Sequence, residues 1–136
     1  MGIEANKELV RREQEEFWGQ GVESIAAKVF APQVTEGNAR LVTPDDLIAV
    51  QRMQRAAIPD LRVRVLDLLG EGDLVVVRIE GTGTHLGDWQ GIAATGRRFT
   101  ISGMVMRQIA DGRIVARWDN LDMLSFMQQI GAVPGG

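Results

Sequence analysis

The chain has 136 residues, of which 45% are hydrophobic and 24% are charged, and its formal net charge is −3. These values are typical of one folded domain, so we expect residues 1–136 to form a single domain and exclude a disordered chain. The absence of cysteine excludes disulfides and thiolate chemistry, and the mixed, mildly acidic charge predicts no nucleic-acid partner. With no long apolar run and no signal segment, we expect a cytoplasmic protein without a membrane partner.

The first third of the chain has the pattern of helices. Apolar residues recur at helical spacing over residues 7–30, and Gly19 and Gly21 interrupt them, which predicts two helices that meet at a bend. Residues 31–42 mix Pro, Gly and Asn with isolated apolar residues. This composition predicts a loop with short extended pieces.

A third helix begins at a recognisable cap. Thr43 precedes Pro44 and two acids, and such a Thr accepts a hydrogen bond from a free backbone amide while the acids suit the helix dipole. The helix should run to about Ala57 and stop before Pro59, because the residue before a proline disfavours helical backbone.

The second half of the chain has the pattern of long strands. Apolar and polar residues alternate from Leu61, and β-rich runs follow that are bounded by glycine-containing turns. The first predicted strand begins at Leu61. Three more cover residues 74–84, 99–109 and 113–121, and they are connected by a loop over residues 85–96 and a turn over residues 110–112. A short helix over residues 122–130 should end at Gly131, which suits a helix C-terminus.

This order of elements predicts the fold class. Helices followed by long antiparallel strands indicate an α+β fold with the helices on one side of the sheet. A strongly curved, mostly antiparallel sheet covered in this way encloses a pocket, which is a natural site for a small molecule.

Short motifs in the second half resemble those of the SnoaL-like polyketide cyclases, a family of the NTF2-like superfamily. The motifs are Arg78 in a long strand, the run Gly-Thr-His-x-Gly at 83–87, Thr-Gly-Arg at 95–97, Asp-Gly-Arg-Ile at 111–114, Trp118, and Gln-Gln-Ile-Gly at 128–131. The resemblance implies an NTF2-like cone. Its members perform aldol cyclisation, hydroxylation, isomerisation or epoxide opening, and some only bind, so the fold does not determine the reaction.

The resemblance also implies a catalytic acid. The cyclases carry an Asp on the last strand that points into the cavity, and Asp119 matches that position. The related limonene-type epoxide hydrolases add Arg-x-Asp on an earlier strand, for which this chain offers Arg78 and Glu80. Burial raises the pKa of a carboxyl group and a nearby Arg lowers it, so two acids beside one Arg can divide the roles of base and acid. The alternative is that these charges form ion pairs on an exposed face.

Two further polar residues are candidates for the same chemistry. Asp122 opens the last helix, where it either caps backbone amides or serves as the acid. His85 is the one imidazole of the chain, and it either carries protons at the cavity mouth or braces the hairpin loop. The residues expected to wall the pocket, for which a plain core role is the alternative, are Phe17, Trp18, Met53, Trp89, Ile101, Val105, Arg117 and Leu121.

These observations predict a cofactor-independent acid/base enzyme that acts on a small apolar, polyketide-like molecule, with Asp119 as base or acid. We expect no metal, because one His and scattered acids offer no ligand spacing, and no nucleotide cofactor, because there is no phosphate-binding loop. The alternatives are epoxide opening by Asp119, Arg78 and Glu80, and a binding module without catalysis.

The alternation of the strands also predicts an assembly. If Arg78, Glu80 and Asp119 face the cavity, the residues that alternate with them along the same two strands point to the other side of the sheet. They form an apolar outer face that a second copy of the chain would cover. We therefore expect a homodimer with Trp118 and Met104 or Met106 near its centre. The residues assigned to this outer face are Val75, Val77, Ile79, Ile114, Ala116 and Trp118.

Overall fold

The computed structural model of the chain describes residues 2–37 and 40–134. Its helices are α1 (Ile3–Arg12), α2 (Ala26–Val29), α3 (Pro44–Ala57) and α4 (Met123–Gln129); a π-helical segment (Glu13–Trp18) continues α1, and a 3-10 turn (Glu23–Ile25) precedes α2. Its strands are β1 (Phe30–Glu36), β2 (Arg40–Val42), β3 (Arg62–Glu71), β4 (Leu74–Thr84), β5 (Arg98–Ala110) and β6 (Arg113–Leu121).

The six strands form one curved sheet in the order β2-β1-β6-β5-β4-β3. Neighbouring strands are antiparallel except β1 and β6, which run parallel. The first helix and the π-helical segment pack on β3, α3 packs on β1, and α4 packs on β5. This arrangement confirms the predicted α+β fold with a curved sheet and helices.

The cap predicted for α3 is present as a reciprocal capping box. Thr43 Oγ1 accepts a hydrogen bond from the backbone N of Asp46 at 3.2 Å, and Asp46 Oδ2 accepts one from the backbone N of Thr43 at 2.8 Å. The helix ends at Ala57, as predicted. Local sequence was sufficient here because both partners of the cap lie within four residues.

The segment predicted as a loop with short extended pieces over residues 31–42 contains the two strands β1 and β2. Residues of β1 pair with β2 and, in parallel, with β6, which lies about eighty positions later in the chain. The predicted extended pieces are these two strands, but partners at that separation leave no local signal, so their extent and their pairing were not predicted. Asn38 and Ala39 of the same segment lie outside the described residues.

Strand β4 faces the opposite way from the prediction. Val75, Val77 and Ile79 are buried in the core beneath the helices, whereas Arg78 is exposed and Glu80 is partly exposed on the outer face. Alternation defined the two faces correctly, but a one-residue choice of facing moves every side chain to the other side. Placing the three apolar residues on the outer face was therefore wrong.

A β-bulge changes the phase of β6. The register between β5 and β6 shifts between Gln108 and Ile109, so that Ile109 pairs with Ile114 while Gln108 pairs with Ala116. A bulge inserts one unpaired residue and reverses the alternation beyond it. Ile114 is therefore buried in the core with Ile109, which corrects its predicted place on the outer face, and Ala116 is buried as well.

Two hydrophobic clusters fill the space between the helices and the sheet. The larger one joins the π-helical segment to the middle of the sheet and includes Phe17, Phe30 and Val77. The smaller one joins the end of α3 to α4 and includes Ile58 and Phe126. A cavity remains between them.

None of the helices within residues 2–37 and 40–134 is long and apolar enough to cross a membrane.

Candidate functional site

A cavity of about 280 Å³ lies between the concave face of the sheet and the helices. Most of its wall is apolar, and the charged groups gather at one end, which is the usual design of a small-molecule site. The apolar wall includes Trp18, Val50, Ile58, Leu61, Val63, Ile79, Trp89, Phe99, Ile101, Val105, Leu121, Met123 and Phe126, and the polar end includes Gln14, Glu36, Arg107, Arg117 and Asp119. Gln54 and Ser102 line the cavity away from that end.

Asp119 stands at the centre of the polar end. Its Oδ1 accepts a hydrogen bond from Arg107 Nη1 at 2.6 Å, and its Oδ2 accepts one from Arg117 Nη2 at 2.6 Å. The side chain is 28% exposed, so the carboxylate is partly desolvated but can be reached from the cavity. Asp119 is therefore held between two guanidinium groups in a partly dry site, where charge-assisted hydrogen bonds are strong.

Arg107 projects from the inner face of β5 and is 1% exposed. Its Nε lies 3.0 Å from both carboxylate oxygens of Glu13, and its Nη2 lies 2.9 Å from Glu13 Oε2. Nη1 also donates to the backbone carbonyls of Met106 and Trp118, at 3.1 Å and 3.4 Å. Glu13 therefore holds this guanidinium through Nε and Nη2, and Asp119 and the two strand carbonyls hold it through Nη1.

Glu13, on the π-helical segment, is fully buried. Besides Arg107, its carboxylate accepts hydrogen bonds from Trp18 Nε1 and Gln14 Nε2, each at 2.8 Å. A π-helix brings residues five apart onto one another, which is the spacing of Glu13 and Trp18. The widened turn therefore orients both the buried carboxylate and the indole that walls the cavity.

Arg117 completes the chain of charges at the polar end. Its Nη1 donates to Glu36 Oε1 at 3.2 Å, and its guanidinium carbon lies 5.4 Å from the centre of the Trp18 ring. Stacking on an aromatic face suits a partly desolvated guanidinium. The order across the site is Glu13, Arg107, Asp119, Arg117 and Glu36, so negative and positive groups alternate.

The arginines determine the protonation state of Asp119. Burial acts to raise its pKa, but the charges of Arg107 and Arg117 and the hydrogen bond from Arg107 outweigh it and hold the pKa below the usual range of Asp. For Arg107, burial acts to lower the pKa, but Glu13 and Asp119 raise it. Asp119 is therefore a carboxylate at neutral pH, with no proton to donate.

Six of the eight residues predicted to wall the pocket line the cavity; they are Trp18, Trp89, Ile101, Val105, Arg117 and Leu121. Phe17 instead lies in the core behind the cavity, in edge contact with the Trp18 ring at 4.7 Å, and Met53 is exposed on α3. The prediction of those two wall residues was wrong, because helical spacing does not distinguish a wall from a second layer.

Arg78 and Glu80 lie on the outer face of the sheet, away from the cavity. Arg78 Nε donates to Asp67 Oδ2 at 2.6 Å, and Glu80 Oε1 accepts from Arg64 Nη2 at 3.2 Å. These are the surface ion pairs given as the alternative, so the prediction that Arg78 and Glu80 share the pocket with Asp119 was wrong. Epoxide opening by those three residues is excluded with it.

His85 and Asp122 also have structural positions. His85 is fully buried in the loop between β4 and β5, where its Nδ1 lies 3.0 Å from Thr95 Oγ1 and accepts from the Thr95 backbone N at 3.3 Å, and it does not line the cavity. Asp122 caps α4 by accepting from the Ser125 backbone N at 3.0 Å. These contacts are those of the bracing and capping roles given above as alternatives.

The sequence reasoning missed Glu13 and Arg107. Alternation along β5 does place Arg107 on one face with Val105 and Ile109, so an inward guanidinium was available as a signal. Glu13 likewise falls on the helical stripe between Val10 and Phe17. A charged residue within an apolar stripe marks a buried partner, and here each residue is the partner of the other.

The described residues offer no metal centre, since no group of three His, Cys, Asp or Glu side chains within them is placed to hold an ion. The acids at the polar end are each committed to an arginine. The arrangement is therefore suited to proton transfer and to charge stabilisation next to an apolar ligand.

The sequence profile of the family described as SnoaL-like polyketide cyclase matches residues 8–130. No curated protein sequence matches the chain. Among solved structures, TsrD from Streptomyces laurentii is 25% identical with a TM-score of 0.88, covering 98% of this chain and 99% of that one. AclR from Streptomyces galilaeus, a proposed hydroxylase, is 26% identical with a TM-score of 0.86, covering 99% of this chain and 86% of that one.

IdmH from Streptomyces antibioticus, a proposed polyketide cyclase, is 26% identical with a TM-score of 0.80, covering 93% of this chain and 98% of that one. These three neighbours share the fold described above over more than nine-tenths of the chain.

Proposed function

Because the chain belongs to the SnoaL-like polyketide cyclase family, we propose that it is an acid/base enzyme that acts on a small, largely apolar polyketide-like ketone without a cofactor. Asp119 is the general base. The observation that carries the proposal is an ionised carboxylate at the polar end of an otherwise apolar cavity.

The proposed step is proton abstraction next to a carbonyl group. Asp119 takes the α proton, the C–H electron pair moves into the carbonyl to form an enolate, and the enolate carbon attacks a second carbonyl of the same molecule. The new alkoxide then takes the proton back from Asp119, so the reaction is balanced without an oxidant or reductant. Asp119 is ionised at neutral pH, although its lowered pKa makes it a weaker base than an ordinary carboxylate. Placed proton transfer of this kind contributes roughly 10²–10⁴-fold.

Arg117 is proposed to stabilise the developing negative charge on the enolate oxygen. It lines the cavity beside Asp119, and its guanidinium is held in place by Glu36 and by the Trp18 ring. A fixed cation beside a low-dielectric cavity acts on developing charge at little reorganisation cost.

The test is exchange of α protons of β-tetralone, a small aryl ketone, followed by NMR in deuterated buffer. Asp119→Asn should lower the protein-dependent exchange rate by roughly 10²–10⁴-fold while the ketone still binds. The matched control is Asp67→Asn, which removes a carboxylate from a 2.6 Å arginine pair on the outer face and should leave the rate unchanged. Equal rates for the parent and Asp119→Asn would exclude Asp119 as the base.

A binding module without catalysis is the second candidate, and one observation favours it. Both oxygens of Asp119 are already paired with arginines, and its pKa lies below the usual range, whereas an acid poised for proton exchange is more often shifted upward. In that case β-tetralone should bind in the cavity, measured by quenching of tryptophan fluorescence, and the parent should not accelerate exchange at all.

We also propose a homodimer through the outer face of the sheet. Met104 is 56% exposed there, beside Met106 and Trp118, which are neighbours across β5 and β6. Methionine fills irregular apolar contacts, and a two-fold mate would cover the patch by using it twice. Light scattering should give twice the chain mass for the parent and one chain mass for Met104→Glu, and a monomeric parent would exclude the dimer.

A further inference from the structure

Each of the two arginines that hold Asp119 also holds a second carboxylate. Arg117 is shared with Glu36 near the surface, where the Glu36 side chain is 43% exposed. Arg107 is shared with Glu13, which is fully buried and does not line the cavity. Burial of an ion pair costs much of what the attraction gains, so stability alone is weak grounds for this pair.

We propose that Glu13 is a positioning residue for Asp119, which fixes the Arg107 guanidinium and shares its charge so that Asp119 faces the cavity as a carboxylate still able to accept a proton. This inference rests on the proposed function of Asp119 as a base. Glu13 itself cannot touch a ligand in the cavity, because its carboxylate is sealed by Arg107, Trp18 and Gln14.

The geometry of Arg107 carries the argument. Its Nε and Nη2 point at Glu13, which leaves Nη1 as the group that donates to Asp119. Without Glu13, the guanidinium would be free to turn and offer two N–H groups to Asp119, as arginine does in its two-point pairs with carboxylates. The anion would then be held too firmly to take up a proton.

The charge of Glu13 acts in the same direction. A negative group beyond Arg107 offsets part of the positive charge that Asp119 experiences, so its removal lowers the pKa of Asp119 further. The described charged groups that surround Asp119 are Arg107 from β5, Arg117 from β6, Glu13 from the π-helical segment and Glu36 from β1. Arg107 and Arg117 therefore lower the pKa of Asp119, and the negative charges of Glu13 and Glu36 offset part of that effect.

The π-helical segment connects this role to the cavity wall. The Glu13 carboxylate accepts the Trp18 indole N–H at 2.8 Å, and the same indole ring lies under Arg117. Glu13 thereby acts on both arginines. It holds Arg107 by an ion pair, and it orients the Trp18 ring on which Arg117 lies. An unusual helical turn at this point is consistent with the enrichment of π-helical segments at functional sites.

The experiment compares Glu13→Gln with Glu80→Gln, a control that removes a carboxylate paired with an arginine on the outer face. Protein labelled with ¹³C at aspartate carboxyl groups is titrated by NMR from neutral pH to the onset of acid unfolding, with the Asp119 signal assigned by its loss in Asp119→Asn. In Glu13→Gln the titration of Asp119 should move down by about half a pH unit or more, and in Glu80→Gln it should not move. Glu36→Gln should move it in the same direction but less, because solvent screens the more exposed group.

The β-tetralone exchange assay supplies the second readout. Glu13→Gln should lower the rate constant at saturating ketone about tenfold and leave the dissociation constant unchanged, whereas a merely structural role would leave the Asp119 titration in place. An unmoved titration in Glu13→Gln overturns the inference. Absence of exchange in the parent overturns the proposed function instead, so the two failures are distinguishable.

If Glu13→Gln does not fold, the double variant Glu13→Gln/Arg107→Met replaces the buried pair with neutral groups of similar size. Asp119 then keeps Arg117 and loses Arg107, so its titration should move up relative to the parent. Asp119 should titrate lower in the double variant than in Arg107→Met, because the Glu13 charge that opposes its ionisation is then absent as well. Equal titrations in Arg107→Met and in the double variant would overturn the inference.

Discussion

Arg107→Met is the change that tests the buried charge network most directly. Methionine keeps much of the length and volume of the arginine stem, so loss of packing is small. The variant leaves Glu13 fully buried with hydrogen bonds from Trp18 and Gln14 but with no cation, and it removes one of the two partners of Asp119.

The expected cost follows from the burial of the partner left behind. Removing one member of a buried ion pair typically costs about 3–5 kcal/mol, because the other charge stays desolvated and uncompensated. With one partner fully buried and the other 1% exposed, solvent cannot screen this pair. For a chain of this size about 1 kcal/mol corresponds to roughly 3–4 °C, so Tm should fall by about 10–20 °C.

The assay is thermal unfolding followed by circular dichroism at neutral pH. The double variant with Glu13→Gln should recover most of the loss at neutral pH, since neither charge then remains. A single variant within about 1 kcal/mol of the parent, or a double variant less stable than the single one, would refute this account.

Three further outcomes follow from the structure. Phe126→Ala removes a ring that is 2% exposed and packs edge-on against Phe99 at 4.8 Å; it should cost about 3–5 kcal/mol in urea unfolding, while Leu124→Ala on the exposed side of α4 should cost little. Thr43→Ala breaks the capping box of α3 and should lower the free energy of unfolding by about 1 kcal/mol, and an unchanged value would show that the cap is dispensable. The folded-state pKa of Asp119 lies below its unfolded value, so its contribution to stability is present above the unfolded pKa and is lost as pH falls through the folded pKa; the acid-side loss of stability should be shallower in Asp119→Asn than in the parent.

Local patterns in the sequence were sufficient for much of the fold. The α3 cap, the Asp111–Gly112 turn with its two positive φ angles of 51° and 75°, and the bounds of β4 all depend on neighbours along the chain. Interactions of that range leave their signature in the order of residues, because both partners lie within a few positions. The motifs of the second half likewise identified the family that the sequence profile matches.

The candidate site was predictable only in part. Asp119 and Arg117 share a strand face by simple alternation, and the cavity lies on that face. Glu36 had no signal, since it ends β1, whose partner β6 is far away in sequence. Arg78 and Glu80 were misplaced because alternation divides a strand into two faces without telling which face is covered.

The sequence by itself determined which residues alternate, where the turns lie and which acid is on the last strand. The tertiary structure decided which face of β4 is covered by the helices, how the bulge in β6 changes its phase, and which arginine reaches Asp119. Those choices depend on contacts such as Glu13 with Arg107, ninety-four positions apart, whose energy arises only when the chain closes around them. The role of a charged side chain depends on the partner that folding places beside it, and no local pattern contains that partner.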